Sequence, residues 1–282
     1  MENRNSNPLA NYFRQPSIYL SLPSGGRWWP EDSIMLSGTK EVSIYPMSTK
    51  DEIILRTPDA LMNGQGVVDV IQSCCPEIKD AWKMPGVDTD AILIAIRIAS
   101  YGPIMDFESK CSHCGYDNKH GVDLGTVLGS VKCSEYAETT KYKDLKIRFK
   151  PLSYLTINKN NMSEYSEQKL INVLNNSDIT PENKQHEISE LIKRIHALSI
   201  DTCVNSTDYI ELPNGDRINS KEYITEFYTN SSADLIKLMQ TAITQFNEEA
   251  KIPPYTVQCE SCTNTYQVSV SFDYSNFFVN GS

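Results

Sequence analysis

Two short cysteine pairs are the residues of this chain best able to do chemistry. They form the sequences Cys-Ser-His-Cys-Gly at 111–115 and Cys-Glu-Ser-Cys at 259–262. Because only two residues separate the cysteines of a pair, one tight turn can direct both sulfurs to a common point, and four thiolates are a ligand set of tetrahedral zinc. We therefore predict one zinc site. Its predicted ligands are Cys111, Cys114, Cys259 and Cys262.

Other interpretations of these pairs stay open. A Cys-x-x-Cys pair can be a redox motif, but that motif is expected in a βαβ unit. Here a polar turn and then a strand-like pattern follow each pair. The four cysteines can also be reduced, metal-free thiols or belong to two unrelated turns. Either His113 or His120 can replace a cysteine and so open a coordination position.

The chemistry expected of such a site is structural. Four cysteine ligands fill the coordination sphere of zinc, whereas a catalytic zinc keeps one position for water. The sequence contains no P-loop, no dinucleotide-binding glycine motif, no metalloprotease motif and no nucleophile elbow. His186 and His196 lie about 15 Å apart along one predicted helix, which is too far to share an ion. We predict that the protein is not an enzyme.

The elements around the cysteines predict the fold class. A turn followed by a strand, twice over, is typical of a zinc ribbon, although 144 residues separate Cys114 from Cys259 where about 15–20 are usual. We predict an α+β fold in which a zinc-ribbon-like pair of four-cysteine knuckles is joined to an N-terminal helical and strand segment, with an α-rich insertion between the knuckles. The predicted segments are an extended docking segment (1–50), a helical core (51–110), the zinc-ribbon-like module (111–130 with 255–282) and the insertion with one hairpin (131–254).

Periodicity places several elements. Residues 91–100 leave scarcely any polar face, so we predict a helix that is buried all round, capped by Asp88-Thr89-Asp90. Apolar stripes predict further helices, one from Thr180-Pro181 and one from 231–234. Alternation predicts a strand over 145–149, and Asn214-Gly215 predicts a hairpin.

Composition excludes two broad classes. The 282 residues carry 26 Lys and Arg against 36 Asp and Glu, a net charge of −10, which opposes nucleic-acid phosphates. The longest apolar run, 91–99, contains Arg97 and is shorter than the roughly 20 residues that span a bilayer. We therefore expect no nucleic-acid partner and no integral membrane contact. Eight sparse cysteines predict folding in a reducing compartment.

Aromatic residues cluster at both ends of the chain. They are Tyr12, Phe13, Trp28 and Trp29 near the start, and Phe272, Tyr274, Phe277 and Phe278 near the end. Large amphipathic side chains are favoured where partners bury anchors. They can equally pack on the protein's own core, and both interpretations stay open.

Three sequence strings carry a family resemblance. They are N-P-L-x-x-Y-F-R-x-P-x-I-Y-x-x-L-P-S-x-G at 7–26, D-x-D-A-I-L-I-A-I-R-I-A-S-Y-G at 88–102 and C-x-x-C-G at 111–115. Together they resemble the baseplate hub subunit family of T-even-type tailed bacteriophages. The resemblance is clearest over the first 125 residues.

The resemblance implies a structural or assembly protein of a contractile tail's baseplate hub. Its implied partners are other phage tail hub and tape-measure proteins, and its implied location is the virion tail baseplate or the host bacterial cytoplasm during assembly. No catalytic residue is implied. The alternative is a zinc-ribbon nucleic-acid-binding protein or a zinc-dependent hydrolase, for which Lys110, Lys119, Lys132 and His120 near the first knuckle are the support.

Overall fold

The structure is a computed structural model that describes residues 9, 12–36, 38–57, 63–133, 136, 139–176, 181–268 and 277–278. The first elements in chain order are β1 (Ile18–Ser21), β2 (Glu41–Ile44), α1 (Thr49–Leu55), α2 (Gln65–Cys74), α3 (Gly86–Tyr101), β3 (Ile104–Lys110), β4 (Asp117–Asp123) and α4 (Leu124–Ser130). The later elements are β5 (Thr139–Tyr142), β6 (Leu145–Phe149), α5 (Tyr154–Asn176), α6 (Pro181–Ser206), β7 (Thr207–Glu211), β8 (Arg217–Ile218), α7 (Lys221–Thr229), α8 (Ala233–Ala250), β9 (Tyr255–Gln258) and β10 (Thr265–Val268). The predicted mixture of helices and strands is confirmed.

Helix α3 forms the centre of the first hydrophobic core. Every residue from Ala91 to Arg97 is buried, as expected of a helix without a polar face. The antiparallel pair β1–β2, helix α2 and helix α4 pack around it. The helix ends at Gly102, whose φ of 87° suits glycine.

The predicted cap of α3 is wrong. The helix begins at Gly86 after Pro85, and Asp88 therefore lies inside its first turn. Asp88 makes no cap because its carboxylate accepts hydrogen bonds from another part of the chain: from the backbone N–H of Ser24 (2.8 Å), from the Ser24 hydroxyl (2.6 Å) and from the Trp29 indole (2.8 Å).

A second core lies between the two cysteine pairs in sequence. It joins a four-stranded antiparallel sheet, in the order β5-β6-β7-β8, to α7, α8 and the C-terminal part of α6. The predicted strand over 145–149, the hairpin and the helices α6 and α8 are confirmed, and Thr180 lies outside the described residues. The sheet is larger than the predicted hairpin because β6 also pairs with both β5 and β7.

The two cores meet at the start of α3. Val87, in the first turn of α3, packs against the second core. Just before it, the Met84 carbonyl accepts the N–H of Tyr154 within the first core (2.7 Å), and the Gly86 N–H donates to the Leu152 carbonyl (2.8 Å). Neighbouring tryptophans add to this junction, since Trp29 belongs to the first core while Trp28 packs against the second. None of the described helices combines the length and the apolar composition needed to cross a membrane.

Candidate metal centre

The first cysteine pair lies in the turn of the β3–β4 hairpin. The N–H of Cys111 donates to the carbonyl of Tyr116 (2.9 Å), and the N–H of Gly115 donates to the carbonyl of Cys111 (2.9 Å). Gly115 has a φ of 74°, a conformation that glycine adopts without steric cost. The turn therefore leaves the Cys111 and Cys114 side chains on one side of the hairpin end.

The second pair repeats this geometry in the turn between β9 and β10. The N–H of Cys259 donates to the carbonyl of Asn264 (2.9 Å), and the N–H of Thr263 donates to the carbonyl of Cys259 (3.0 Å). Thr263 occupies the position of Gly115 and has a φ of 58°. Two equivalent knuckles thus form on two antiparallel hairpins.

The four sulfurs of the two knuckles lie together. The Cys111 and Cys262 sulfurs are 3.8 Å apart, the Cys114 and Cys259 sulfurs are 3.6 Å apart, and all four lie within 4.8 Å of one another. A tetrahedron with Zn–S bonds of about 2.3 Å has edges of roughly 3.8 Å. The donor set and its spacing therefore fit a tetrahedral ion.

Three of the other described cysteines are buried in the hydrophobic cores. Cys74 and Cys75 are buried in the first core and Cys203 in the second. Burial raises the pKa of Cys74 to about 12 and that of Cys203 to about 11. These thiols stay protonated at neutral pH and pack as small apolar groups.

Two of the clustered thiols, Cys259 and Cys262, have pKa shifts of opposite direction. Burial raises the pKa of Cys259, but the backbone N–H groups of Cys262 and Ser261 outweigh it, with help from Cys114 and Asn118, and the pKa falls to about 6. A backbone N–H of Asn264 favours the Cys262 thiolate, yet burial and the neighbouring cysteines raise the pKa of Cys262 to about 12. A divalent cation would attract all four thiolates and so favour the ionised form of each cysteine.

A polar network joins the two hairpins beside the sulfurs. Asn118 of β4, only 1% exposed, donates its amide N–H to the Tyr266 hydroxyl (3.0 Å) and to the Tyr116 carbonyl (3.0 Å). Its side-chain oxygen accepts the N–H of Glu260 (2.9 Å). The Tyr266 hydroxyl also lies 2.7 Å from the Ser109 hydroxyl.

Sequence reasoning missed this network, although a signal was available. Residues 118, 120 and 122 share one face of β4, and Val122 marks that face as inward. His120 accordingly directs its Nε2 to the Tyr266 hydroxyl (3.2 Å), and neither His120 nor His113 belongs to the sulfur cluster.

The other predicted residues have separate locations. Tyr12 and Phe13 are exposed, whereas Trp29, Phe277 and Phe278 are buried in the first core. Phe272 and Tyr274 lie outside the described residues. Of the lysines near the first knuckle, Lys119 forms an exposed ion pair with Glu108 (3.0 Å). His186 and His196 lie on exposed faces of α6.

Comparison with protein-family models gives a match over most of the chain. A family model described as "T4 bacteriophage base plate protein" matches residues 22–279, which include both knuckles and everything between them. No curated protein and no solved structure matches the chain.

Proposed function

Because the chain belongs to the T4 bacteriophage base plate protein family, we propose that it is a structural or assembly protein of the baseplate hub of a contractile tail. The observation that carries this proposal is the family match over residues 22–279. Assignment to the hub, within the baseplate, rests on the sequence strings at 7–26 and 88–102. The protein then acts in the virion tail baseplate, or in the host bacterial cytoplasm during assembly.

The four-cysteine cluster is proposed to hold one structural zinc ion in a zinc-ribbon-like module. Cys111, Cys114, Cys259 and Cys262 would be its ligands, and the sulfur spacing supports this. When bound, zinc supplies a crosslink between two hairpins that are distant in sequence, and structural zinc contributes about 10–16 kcal/mol in small peptides. With four thiolate ligands the ion has no position for a substrate, so the proposed role is not enzymatic.

Exposed aromatic residues near the N-terminus are the proposed docking surface for tail hub and tape-measure proteins. Tyr12 is 85% and Phe13 is 55% exposed. The next residue, Arg14, is fixed by hydrogen bonds to the carbonyls of Pro46 (2.9 Å) and Ser73 (2.8 Å). An anchored backbone that presents two aromatic rings loses little conformational freedom on binding, which favours affinity.

The segment division also stays a proposal. In it, residues 1–50 serve docking, 51–110 form the helical core, 111–130 with 255–282 form the zinc-ribbon-like module, and 131–254 form the inserted α-rich part. The exposed rings of Tyr12 and Phe13 support the first assignment, and the two knuckle hairpins support the third.

Metal content tests the zinc site. Protein purified without chelators should contain one zinc per chain by elemental analysis. Cys111→Ser should lose the zinc and several kcal/mol of stability, because three ligands hold the ion poorly. Cys133→Ser is the matched control, since Cys133 is a half-buried cysteine outside the cluster and should leave the zinc in place. Wild-type protein without zinc would contradict the site.

Co-expression with tail proteins tests the structural role. Pull-down with the phage's tail hub and tape-measure proteins should recover a complex. Replacing Tyr12 and Phe13 together by alanine should weaken it, whereas Tyr19→Ala, at another exposed tyrosine (64%) on β1, should not. If the wild type recovers no complex, the hub function is wrong. If the wild type recovers a complex and the Tyr12 and Phe13 double variant recovers it equally well, the docking surface is wrong.

A further inference from the structure

Asn118 is the one described side chain whose hydrogen bonds reach both strand β10 and the second cysteine turn from the first hairpin. Its amide N–H groups reach Tyr116 in its own knuckle and Tyr266 on β10, and its oxygen accepts from Glu260, between the two cysteines of the second pair. The asparagine side chain therefore uses both its amide N–H groups and its carbonyl oxygen in hydrogen bonds. Aspartate has no donors to offer, and alanine has neither donor nor acceptor.

The network around Asn118 fixes the orientation of one hairpin against the other. The Tyr266 hydroxyl meets groups from both β3 and β4, namely Ser109, Asn118 and His120. Beneath it lies a small apolar cluster of Cys111, Val257, Cys259 and Tyr266, against which the partly buried Phe107, Tyr255, Cys262 and Val268 pack. Apolar burial is non-directional, whereas hydrogen bonds require correct distances and angles, so the polar bonds are the contacts that fix the register between the two knuckles.

We propose that Asn118, which is not a ligand, is a positioning residue that sets the separation of the two cysteine pairs and thereby the affinity and geometry of the metal site. This inference rests on the proposed zinc site. The cysteines of one pair are held in place by their own turn, but the distance from Cys111 to Cys262 depends on how the hairpins meet. Glu260 is the link, since its N–H lies between the two ligands of the second knuckle.

The free energy of metal binding depends on how much of the chain the ion must order. If the hairpins are already held at the correct distance, metal binding orders little of the chain. If they are not, part of the binding free energy is used to bring together two turns that 144 residues separate. Loss of residues that orient metal ligands typically lowers affinity about 10–100-fold. We expect an effect of that size from Asn118→Ala.

Zinc affinity, measured on the full chain by competition with a chromophoric chelator, tests this inference. Wild type, Asn118→Ala, Asn118→Asp and Tyr266→Phe are compared, with Asn161→Ala as the control because Asn161 is an exposed asparagine on α5. Asn118→Ala should bind zinc about 10–100-fold more weakly. Tyr266→Phe, which removes one hydroxyl and keeps the ring, should lose less, and Asn161→Ala should match the wild type.

Cobalt substitution adds a readout that a loss of global stability does not change. The visible absorption of bound Co²⁺ reports a tetrahedral thiolate environment. It should be distorted in Asn118→Ala even at saturating cobalt, whereas a variant that is only less stable keeps the wild-type spectrum once loaded. If Asn118→Ala does not fold, Tyr266→Phe supplies the same comparison.

The possible results distinguish failure of the positioning role of Asn118 from failure of the zinc site itself. Wild-type protein that binds zinc, together with Asn118 and Tyr266 variants of equal affinity and unchanged cobalt spectrum, overturns the positioning role and leaves the zinc site intact. Wild-type protein that binds no zinc overturns both. Weaker binding with an altered spectrum in the Asn118 variants, a smaller loss in Tyr266→Phe and no change in Asn161→Ala support the proposal.

Discussion

Asp88 illustrates how single polar residues fix the N-terminal segment. The side chain is fully buried in the first turn of α3 and accepts three hydrogen bonds from Ser24 and Trp29. Burial raises the pKa of Asp88 even though these donors oppose it. The carboxylate thus joins the loop between β1 and β2 to the central helix. If Asp88 is substituted, Ser24 and Trp29 lose the acceptor of their hydrogen bonds.

Asp88→Asn is expected to lower the free energy of unfolding by about 2–3 kcal/mol, because the amide N–H₂ then faces the indole N–H of Trp29, donor against donor. Urea denaturation at neutral pH measures this. Asp234→Asn is the matched control, since Asp234 is an exposed acid in the first turn of α8 and its loss costs at most about 1 kcal/mol through the helix dipole. Equal losses in the two variants would contradict the role given to Asp88.

At this scale the sequence predicts some residues and not others, for a physical reason. Two-residue spacing brings Cys111 close to Cys114 whatever the rest of the fold does, so each cysteine pair can be predicted from the sequence. Asn118 meets Glu260 across 142 positions and Asp88 meets Ser24 across 64. Such pairings depend on how hairpins and helices pack, which spacing along the chain does not encode.

Helix α1 shows that short secondary-structure elements are also hard to predict from the sequence. It covers Thr49–Leu55, and the sequence pattern does not predict it, because seven residues give no clear apolar stripe. The available signal was the capping box in which Ser48 and Asp51 bond reciprocally. The longer helices α3, α6 and α8 were predicted because each shows its apolar pattern over several turns. The sheet is larger than the sequence predicts because β6 pairs with a distant strand, β7, from Lys146 with Glu211 to Phe149 with Thr207.

The buried Asp51 makes the stability of this α1 region dependent on pH. Burial raises the pKa of Asp51, but the Ser48 N–H and hydroxyl, Ser73 and Arg14 outweigh it, and the pKa lies below its usual value of 3.8. A lowered pKa means that the unfolded chain takes up the proton first. The stabilisation is therefore complete above pH 3.8 and is lost as the pH falls from there through the folded-state pKa.

We accordingly expect Asp51→Asn to destabilise the protein at neutral pH and to have a shrinking effect below pH 3.8. Urea denaturation of both proteins at several pH values between about 3 and 7 measures the difference. Asp144→Asn, at an exposed aspartate in the turn after β5, should stay within about 0.5 kcal/mol of the wild type. A difference between wild type and Asp51→Asn that is constant over this range would contradict the assignment.

The whole molecule consists of two hydrophobic cores and a smaller cluster around the cysteines. Phe107 and Tyr255 pack against both the first core and the cysteine cluster, so the candidate metal site adjoins the first core directly. The second core lies between β4 and β9 in sequence and contacts the first core at the start of α3. A family match over residues 22–279 spans all three parts.

Trp28 and Trp29 lie where the two cores meet. Trp29 is 8% exposed in the first core. The half-buried Trp28 packs edge-on against Tyr136 of the second core, with ring centroids 5.2 Å apart, and carries the Arg27 guanidinium over its ring at 4.5 Å. Its φ of 64° is unfavourable for a residue other than glycine. The turn thus directs successive tryptophans into different cores at a cost in backbone strain.

Trp28→Ala is therefore expected to uncouple the cores. Once Trp28 is removed, the remaining tryptophans, Trp29 and Trp82, both lie in the first core, so fluorescence reports that core while circular dichroism reports the whole chain. The two unfolding curves should coincide in Trp28→Phe, which keeps a ring against Tyr136, and should separate in Trp28→Ala, with the second core unfolding first.

Glycine at the same position separates strain from packing. Trp28→Gly loses the same ring contacts as Trp28→Ala but relieves the left-handed backbone, so it should be more stable than the alanine variant by about 1 kcal/mol. Coincident curves in both variants would mean that the other contacts at the start of α3, such as Val87 against the second core, are enough to couple the cores. Separation in both, with the glycine variant the more stable, would mean that the tryptophan pair couples them and that the strain at Trp28 is offset by the packing of its ring.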